Sequence, residues 1–460
     1  MVYRFITIAV IWVLAMAVAH AQEEMGVGDR RELRLSLSEC VDLALGQNTQ
    51  IVQGKYTRDL EDSSIDIARN RFLPRLSTSW GLSRSINGPR EGQFLDESGL
   101  VTTSVGESQT SGNQSVGGSL NMDVFDASDF ANLSASKNRY RAASMDLQSS
   151  RQDVVYQVKQ EYFELLKSMS LLEVQQEELR VSEESLRRSE TLNEIGSSPI
   201  SEVFGARADL ERNRVLLITA ENNVELNRMD LAFTIGFGTN VHIMPSETEF
   251  SQDWSLPDLE TSLSRSVRHP SLLANRYQML GAKDDLRSTQ LGVRMPTVSM
   301  NARYSWDLGR DENFRGVEDL FLKNYRYVVG LSVNLPIFNG LNTATNVRRQ
   351  RVTYLRSLEQ YEQSRRQRAL DIKRALLNVE RLRRNIQASE AAVTAALQDF
   401  RLQDEAYNFG AGTFLQRQQA QVNLFDQRST LVQAKYDLQI EKALYERLVG
   451  TELDPEETEE

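Results

Sequence analysis

Apolar residues recur at every seventh position in two long tracts. Val158, Leu165, Leu172, Leu179 and Leu186 keep that spacing in the first half, and Ile372, Val379, Ile386, Val393 and Phe400 keep it in the second. The period resumes after Gly196 as Val203, Leu210, Leu217, Val224 and Leu231, and after Gly410 as Leu424, Leu431, Leu438 and Tyr445. A seven-residue period held this long predicts helices packed side by side with a left-handed supercoil. Each half is therefore expected to hold one long helical hairpin, over 127–235 and 343–449. The hairpins turn at Gly196-Ser197-Ser198-Pro199 and at Gly410-Ala411-Gly412-Thr413, sequences that stop one helix and cap the next. Proline is absent from about Ala127 to Ile195 and from about Thr343 to Phe409, and at 1.5 Å per residue each such helix would be roughly 100 Å long. That reach suits a tube across a wide aqueous gap better than a compact fold.

A second pattern, of period two, marks four segments between the helical tracts: 76–86, 115–125, 297–307 and 325–335. Val116, Gly118, Leu120, Met122 and Val124 alternate with Gly117, Ser119, Asn121 and Asp123. Val298, Met300, Ala302, Tyr304 and Trp306 alternate with Ser299, Asn301, Arg303, Ser305 and Asp307, and Tyr327, Val329, Leu331, Val333 and Leu335 with Arg326, Gly330, Ser332 and Asn334, Val328 being an exception. One apolar and one polar face on strands of about ten residues is the pattern of a lipid-facing barrel with a wet lumen. A soluble sandwich would alternate too, but aromatic residues near strand ends (Trp80, Trp306, Tyr304, Tyr325, Tyr327) favour the barrel. Four strands cannot close a membrane barrel, for which about eight is the smallest form, so oligomerisation is forced. Dimer, trimer and tetramer would give about eight, twelve or sixteen strands. Pro74, Pro296 and Pro336 flank strands where a missing backbone donor is tolerated. Asn87-Gly88-Pro89 opens a polar segment running to about Gln114, expected to be an outward-facing, moving loop.

The two patterns together divide the 460 residues into a signal peptide at 1–21, a first repeat at 22–235, a linker at 236–257, a second repeat at 258–450 and an acidic tail at 451–460. Each repeat opens on an outer helix, about Leu37 to Phe72 and Leu259 to Leu291. The fold class expected is mainly α with a membrane β part, from an internally duplicated protomer.

Composition narrows the setting. Only 40% of residues are hydrophobic, which argues against a helix-bundle membrane protein. Met1–Ala21 carries Arg4, an apolar stretch and Ala19-His20-Ala21, the form of a secretory leader too short to span a bilayer comfortably. Cys40 stands alone, so no internal disulfide is expected, and its position far behind the leader argues against a lipid anchor. A net charge of −11 argues against nucleic acid as a partner. His242, His269 and Cys40 fall in no triad or metal-ligand spacing, and the carboxylates lie on helical faces. No catalytic residue, cofactor or metal is expected.

Several segments resemble the TolC family of outer-membrane efflux proteins, over essentially all of the mature chain. They are Leu35 to Leu45 with Asn48, then Arg71-Phe72-Leu73-Pro74, repeated as Val293-Arg294-Met295-Pro296, and the strand-to-helix turn Asn334-Leu335-Pro336-Ile337-Phe338-Asn339-Gly340. The resemblance implies a homotrimer, with a twelve-stranded β-barrel in the outer membrane of a Gram-negative bacterium continuing into a twelve-helix periplasmic α-barrel. It implies passive export, as the exit duct of a tripartite efflux or type I secretion system. The tips, Gly196, Ser197, Ser198, Pro199, Gly410, Ala411, Gly412 and Thr413, would dock a periplasmic adaptor and an inner-membrane transporter of resistance-nodulation-division or ABC type.

In that family polar contacts between the hairpins close the periplasmic entrance, and Tyr407 and Glu202 match a tyrosine and an acidic residue that form one. An arginine common after the second tip glycine is replaced by Gly412, and Gln416 and Gln419 stand where the family has rings of aspartate. With amides there, cation preference at the constriction should weaken. The competing reading, a periplasmic or surface coiled-coil protein without channel activity, accounts for the heptads and the leader but leaves the four alternating strands unexplained.

Overall fold

The computed structural model describes residues 31–95, 97–238, 241–246, 257–307, 325–338 and 340–450. The leader at 1–21, the tail at 451–460 and most of the linker at 236–257 lie outside them. The chain divides into two compact units, and each draws on both sequence halves.

One unit comprises residues up to Lys55, Leu147–Pro270 and the chain from Arg365 onward. It begins with strand β1 (Arg31–Leu35), paired in parallel with β6 (Val241–Pro245) so that Leu33 lies opposite Ile243. No alternation long enough to announce this pair exists in five residues a side. Helix α1 (Leu37–Gln47) starts at a capping box in which Ser36 Oγ accepts from the Glu39 N–H and the Glu39 carboxylate accepts from the Ser36 N–H. The outer helix expected to run unbroken from Leu37 is interrupted at Asn48, whose extended backbone ends α1. The Asn48 side chain explains the break: Oδ1 accepts from the Gln50 N–H, starting α2 (Thr49–Asn70), while Nδ2 donates to the Thr234 carbonyl at 2.7 Å.

Helices α3 (Ala127–Glu194) and α4 (Ile200–Ile235) form one hairpin, and α7 (Asn342–Asn408) and α8 (Phe414–Val449) the other. Their heptad residues make the core of this unit. Val158 and Leu165 pack with Tyr162, Val224, Leu231 and Ile243, and Val379, Ile386 and Leu438 form a second cluster. Cys40 lies in the first cluster, where burial and then the Glu39 charge push its thiol up to about 12, so it is an inert small hydrophobe. The second outer helix is also split, into α5 (Leu259–Ser266) and α6 (Pro270–Arg294). The residue before a proline disfavours helix, and Pro270 suits a first helical position.

The other unit holds Tyr56–Asp146 and Ser271–Ser364. Its centre is a four-stranded antiparallel sheet in the order β2 (Arg75–Asn87), β5 (Gln109–Phe125), β7 (Thr297–Asp307), β8 (Tyr325–Asn334). Register aligns the alternating faces across all four strands. Leu76, Leu120, Ala302 and Val329 form one cross-sheet row, and Trp80, Val116, Trp306 and Tyr325 another. On the opposite face Ser77 and Ser119 hydroxyls meet at 2.8 Å, as do Ser299 and Ser332. Val328 sits on that polar face opposite Arg303. The apolar face is bare, with Leu76, Trp80, Ile86, Leu331 and Val333 all exposed, and its aromatic end gathers Tyr304 with Trp306 at 4.4 Å and Tyr325 at 5.8 Å between ring centroids.

The segment expected as a long loop after Asn87 is largely ordered as strand: β3 (Glu91–Leu95) pairs with β4 (Val101–Val105), and β5 already starts at Gln109. Val101-Thr102-Thr103-Ser104-Val105 is β-branched and fits a strand, but its polarity hides it from a search for alternation.

Among the described residues no helix is long and apolar enough to cross a membrane.

Candidate functional site at the hairpin tips

The two tips are built by the same device. Gly196 and Gly410 both take positive φ, 76° and 72°, a conformation glycine adopts without strain. Beyond them the N–H groups of Ser197 and Ser198 return to the Leu192 carbonyl, and those of Ala411 and Gly412 return to the Ala406 carbonyl. The starts of the return helices differ. Pro199 caps α4 with no side-chain bond, whereas Thr413 and Gln416 form a reciprocal capping box on α8, the Gln416 amide oxygen accepting the Thr413 N–H at 2.9 Å.

Glu202, in the first turn of α4, and Tyr407, in the last turn of α7, meet across the hairpins: the phenol donates to Glu202 Oε2 at 2.9 Å. The Tyr407 ring rests edge-on against Phe414, 6.2 Å between centroids. Phe414 in turn lies over Gly205, where an added Cβ would come within 3.3 Å of its ring. Burial, and then the bond to Glu202, raise the phenol pKa, so the proton stays on Tyr407 at neutral pH.

A second network, not expected from the sequence, centres on Asp404. Its Oδ1 accepts from Arg417 Nε at 2.5 Å and from Arg188 Nη1 at 3.0 Å. Arg417 is 3% exposed; it also donates to Ser185 Oγ at 2.8 Å and stacks over the Phe400 ring. Arg188 further donates to Asn408 Oδ1 at 2.9 Å. Burial alone would raise the Asp404 carboxyl, but the bond and charge of Arg417, with those of Arg188, outweigh it and hold the group below its ordinary value. A signal for this network exists in the sequence. Position 417 is one heptad before Leu424, so a charged residue occupies a core position where the first hairpin has Val203. A core charge requires a partner.

The seam between the helices turns polar here. Ser182 and Asn213 sit three residues past Leu179 and Leu210, and Asn213 Nδ2 donates to Ser182 Oγ at 2.5 Å. Gln418 donates to Asp209 across α8 and α4. Gln416 and Gln419 are both exposed; Gln416 is engaged in the cap, and Gln419 borders a groove of about 360 Å³ among α3, α4 and α8. Among the described residues no group of three or more His, Cys, Asp or Glu side chains is placed to hold a metal ion.

The sequence model of the family described as outer membrane efflux protein matches residues 40–236 and 256–451. The outer membrane protein TolC of Vibrio cholerae is 20% identical over 419 residues, covering 90% of this chain and 91% of that protein. Among solved structures, CusC superposes with a TM-score of 0.77 at 18% identity, covering 91% of this chain and 92% of that one. The CmeC outer membrane channel of Campylobacter jejuni superposes with a TM-score of 0.74 at 17% identity, covering 90% and 85%. The chain belongs to the outer membrane efflux protein family: it is a non-enzymatic exit duct of the outer membrane whose helical part stands in the periplasm.

Proposed function

We propose that three copies of this chain close one duct, and that the paired hairpin tips of each copy shut its periplasmic entrance. A periplasmic adaptor and an inner-membrane transporter, of resistance-nodulation-division or ABC type, engage the tips around Gly196-Ser197-Ser198-Pro199 and Gly410-Ala411-Gly412-Thr413. The sheet calls for closure by more than one copy, and three copies is the number that the family resemblance implies. β2 and β8 are the sheet's edges, and lipid tolerates no unpaired backbone edge. Four strands per copy become twelve in a trimer, above the closure minimum of about eight. The exposed apolar rows then face lipid, the serine rows face the lumen, and the Tyr304, Trp306 and Tyr325 cluster lies at an interface belt.

The observation that carries the gate is the hydrogen bond from Tyr407 to Glu202 between the two hairpins. Opening means moving the second hairpin off the first, which breaks this bond together with Arg188 to Asp404, Arg188 to Asn408 and Arg417 to Ser185. At about 1 kcal/mol for a neutral bond and roughly 1.5–3 kcal/mol for a charged one, the closed tip holds by several kcal/mol until a partner binds the open form better. With Gln416 and Gln419 in place of carboxylates, the aperture carries no ring of fixed negative charge at those positions.

The test is the native mass of the protein extracted in mild detergent, followed by conductance in planar bilayers. A trimer with low basal conductance that rises when Tyr407 and Arg188 are substituted supports the reading. A water-soluble monomer or dimer, or a wide conductance indifferent to those residues, overturns it.

A further inference from the structure

The apolar row of β8 runs Tyr325, Tyr327, Val329, Leu331 and Val333 and continues into Leu335, all of them exposed. At about 3.3 Å per residue and a barrel tilt of about 40°, Tyr325 to Leu335 covers roughly 25 Å of height, that of the apolar band of an outer-membrane barrel. The aromatic cluster at Tyr325 therefore marks one edge of the band and Leu335 the other. Beyond Leu335 the chain turns at Gly340, with φ 71°, into α7. Ile337, Phe338 and Leu341 on this turn are 92%, 85% and 81% exposed. Met295, two residues ahead of the Thr297 that pairs with Asn334, is exposed beside them.

Further along α7 come Arg348, Arg349 and Arg351, all exposed, and none is in an ion pair among the described residues. Arg348 lies two turns beyond Leu341 on the same line of the helix, with Arg349 and Arg351 fanning to either side. No residue of α7 ahead of Ile372 is buried.

The first repeat builds the same junction differently. Asp126 and Asp129 follow Phe125 there, Asp129 accepts from Arg71 at 3.1 Å, and Phe72 packs on Phe130 with ring centroids 5.0 Å apart. After Phe338 the same two positions are Asn339 and Asn342. The next turns of α3 are held by α6, Ser134 and Asn138 both donating to Asp284. One chain thus contains the junction twice, once with its cation paired and its rings packed, once with cations and apolar side chains bare.

We propose that the turn from Ile337 to Leu341 and the first three turns of α7 dock onto the periplasmic leaflet of the outer membrane. Ile337, Phe338 and Leu341 enter among the acyl chains, and Arg348, Arg349 and Arg351 bind the phosphates of anionic phospholipid. The proposal rests on the reading of the sheet as a lipid-facing barrel. The order of the residues selects lipid over a protein neighbour. Apolar side chains border the band, and the cations follow roughly 9–14 Å into the helix at 1.5 Å per residue, which is the order of acyl chain and phosphate. Arginine stems bend back toward the headgroups, and their forks take phosphate oxygens in pairs.

A bimane label at Phe338→Cys, in the full-length protein embedded in lipid nanodiscs, reads where the turn lies; Cys40 is buried and stays unlabelled. Lipids brominated near the headgroup should quench it more strongly than lipids brominated near the chain end. The same label at Leu331→Cys, in the apolar row, should show the reverse preference. Native mass spectrometry of the protein titrated with phosphatidylglycerol and with phosphatidylcholine should show tighter retention of the anionic lipid. Joint replacement of Arg348→Gln, Arg349→Gln and Arg351→Gln should weaken that retention at least about tenfold, since each cation near an anionic surface contributes several-fold. Quenching at 331 without quenching at 338 would overturn the docking turn, placing it against a neighbouring copy or the lumen, and leave the barrel reading intact. No quenching at either position would overturn both. Equal retention of the two lipids, or unchanged retention in the triple variant, also overturns the lipid site.

Discussion

Arg417 and Asp404 face each other across the α7–α8 turn, with Arg417 Nε 2.5 Å from Asp404 Oδ1. The arginine is buried and fills a core position of the heptad, so the pair stands in the packed seam rather than on a solvated face. Removing one buried partner strands the other, whereas replacing both by apolar groups can be nearly neutral. Arg417→Met alone should therefore destabilise the helical part by about 3 kcal/mol, and Arg417→Met with Asp404→Leu should recover most of that. Thermal unfolding of the two variants beside the parent decides it; additive losses would mean the two side chains do not act as a pair.

Tyr407→Phe keeps the ring against Phe414 and removes only the hydroxyl that reaches Glu202. If the tips close the entrance as proposed, the closed state should weaken by about 1 kcal/mol, a roughly fivefold rise in the open population. Single-channel recordings should show longer or more frequent openings with unchanged open conductance. Cysteines at 202 and 407, too far apart for a direct disulfide because two long side chains meet there, should be bridged by a bismaleimide of about 8–10 Å and so hold the channel shut; no bridging would count against their facing one another in the proposed closed state.

Acid should act on this molecule in two separate steps. His269 lies buried, with Nε2 2.9 Å from the Arg447 carbonyl. Burial and then the Arg368 charge lower its pKa from 6.5 to about 4. The unfolded imidazole takes up its proton first, so stability is complete above about pH 6.5, falls as the pH drops toward 4, and levels off below, a loss of at most roughly 3 kcal/mol. Asp404 titrates the other way round: its carboxyl is lowered, so its contribution is complete above its ordinary value of 3.8 and is lost only as the pH falls further. A pH series of unfolding midpoints should lose its upper limb in His269→Gln and its lower limb in Asp404→Asn. A single limb unaffected by either would refute the assignment.

Placing carboxylates at the two glutamines of the proposed aperture is not the same experiment at both positions. Gln416 also caps α8, and an aspartate there is one methylene short of the bond it makes to the Thr413 N–H. Gln419 is exposed and makes no part of that cap. Gln419→Asp should raise cation selectivity alone, while Gln416→Asp should do so with roughly 0.5–1 kcal/mol of lost helix stability. Reversal potentials under a salt gradient measure the first effect and thermal unfolding the second; an unchanged reversal potential in the double variant would remove both residues from the constriction.

What the sequence by itself determined is whatever short-range periodicity can carry. The seven-residue period implies α3 with α4 and α7 with α8, because a helix that repeats every seven residues has only one face to bury. Gly196 and Gly410 mark the turns, because the chain there needs positive φ. Alternation places β2, β5, β7 and β8, because a strand has two faces and successive side chains choose opposite ones. Together with the repeated Arg71 to Pro74 and Val293 to Pro296 segments, these patterns reach the fold class and the family.

Tertiary structure alone decided which polar groups meet. The Asp404 carboxylate gathers Arg188 from a helix more than two hundred residues away and Arg417 from just beyond the turn. Along the chain Asp404 and Arg188 look like ordinary helical charges, and Arg417, though its core position calls for a partner, does not say which. Asn48 ends α1 because Thr234 lies beside it, and β1 is a strand because β6 lies alongside. Asn213 meets Ser182 only because α3 and α4 pack their seam together. Periodicity reports how a segment meets water and apolar surface on average; a hydrogen bond depends on one atom reaching another within a few tenths of an ångström, and that distance is set only when the helices are packed.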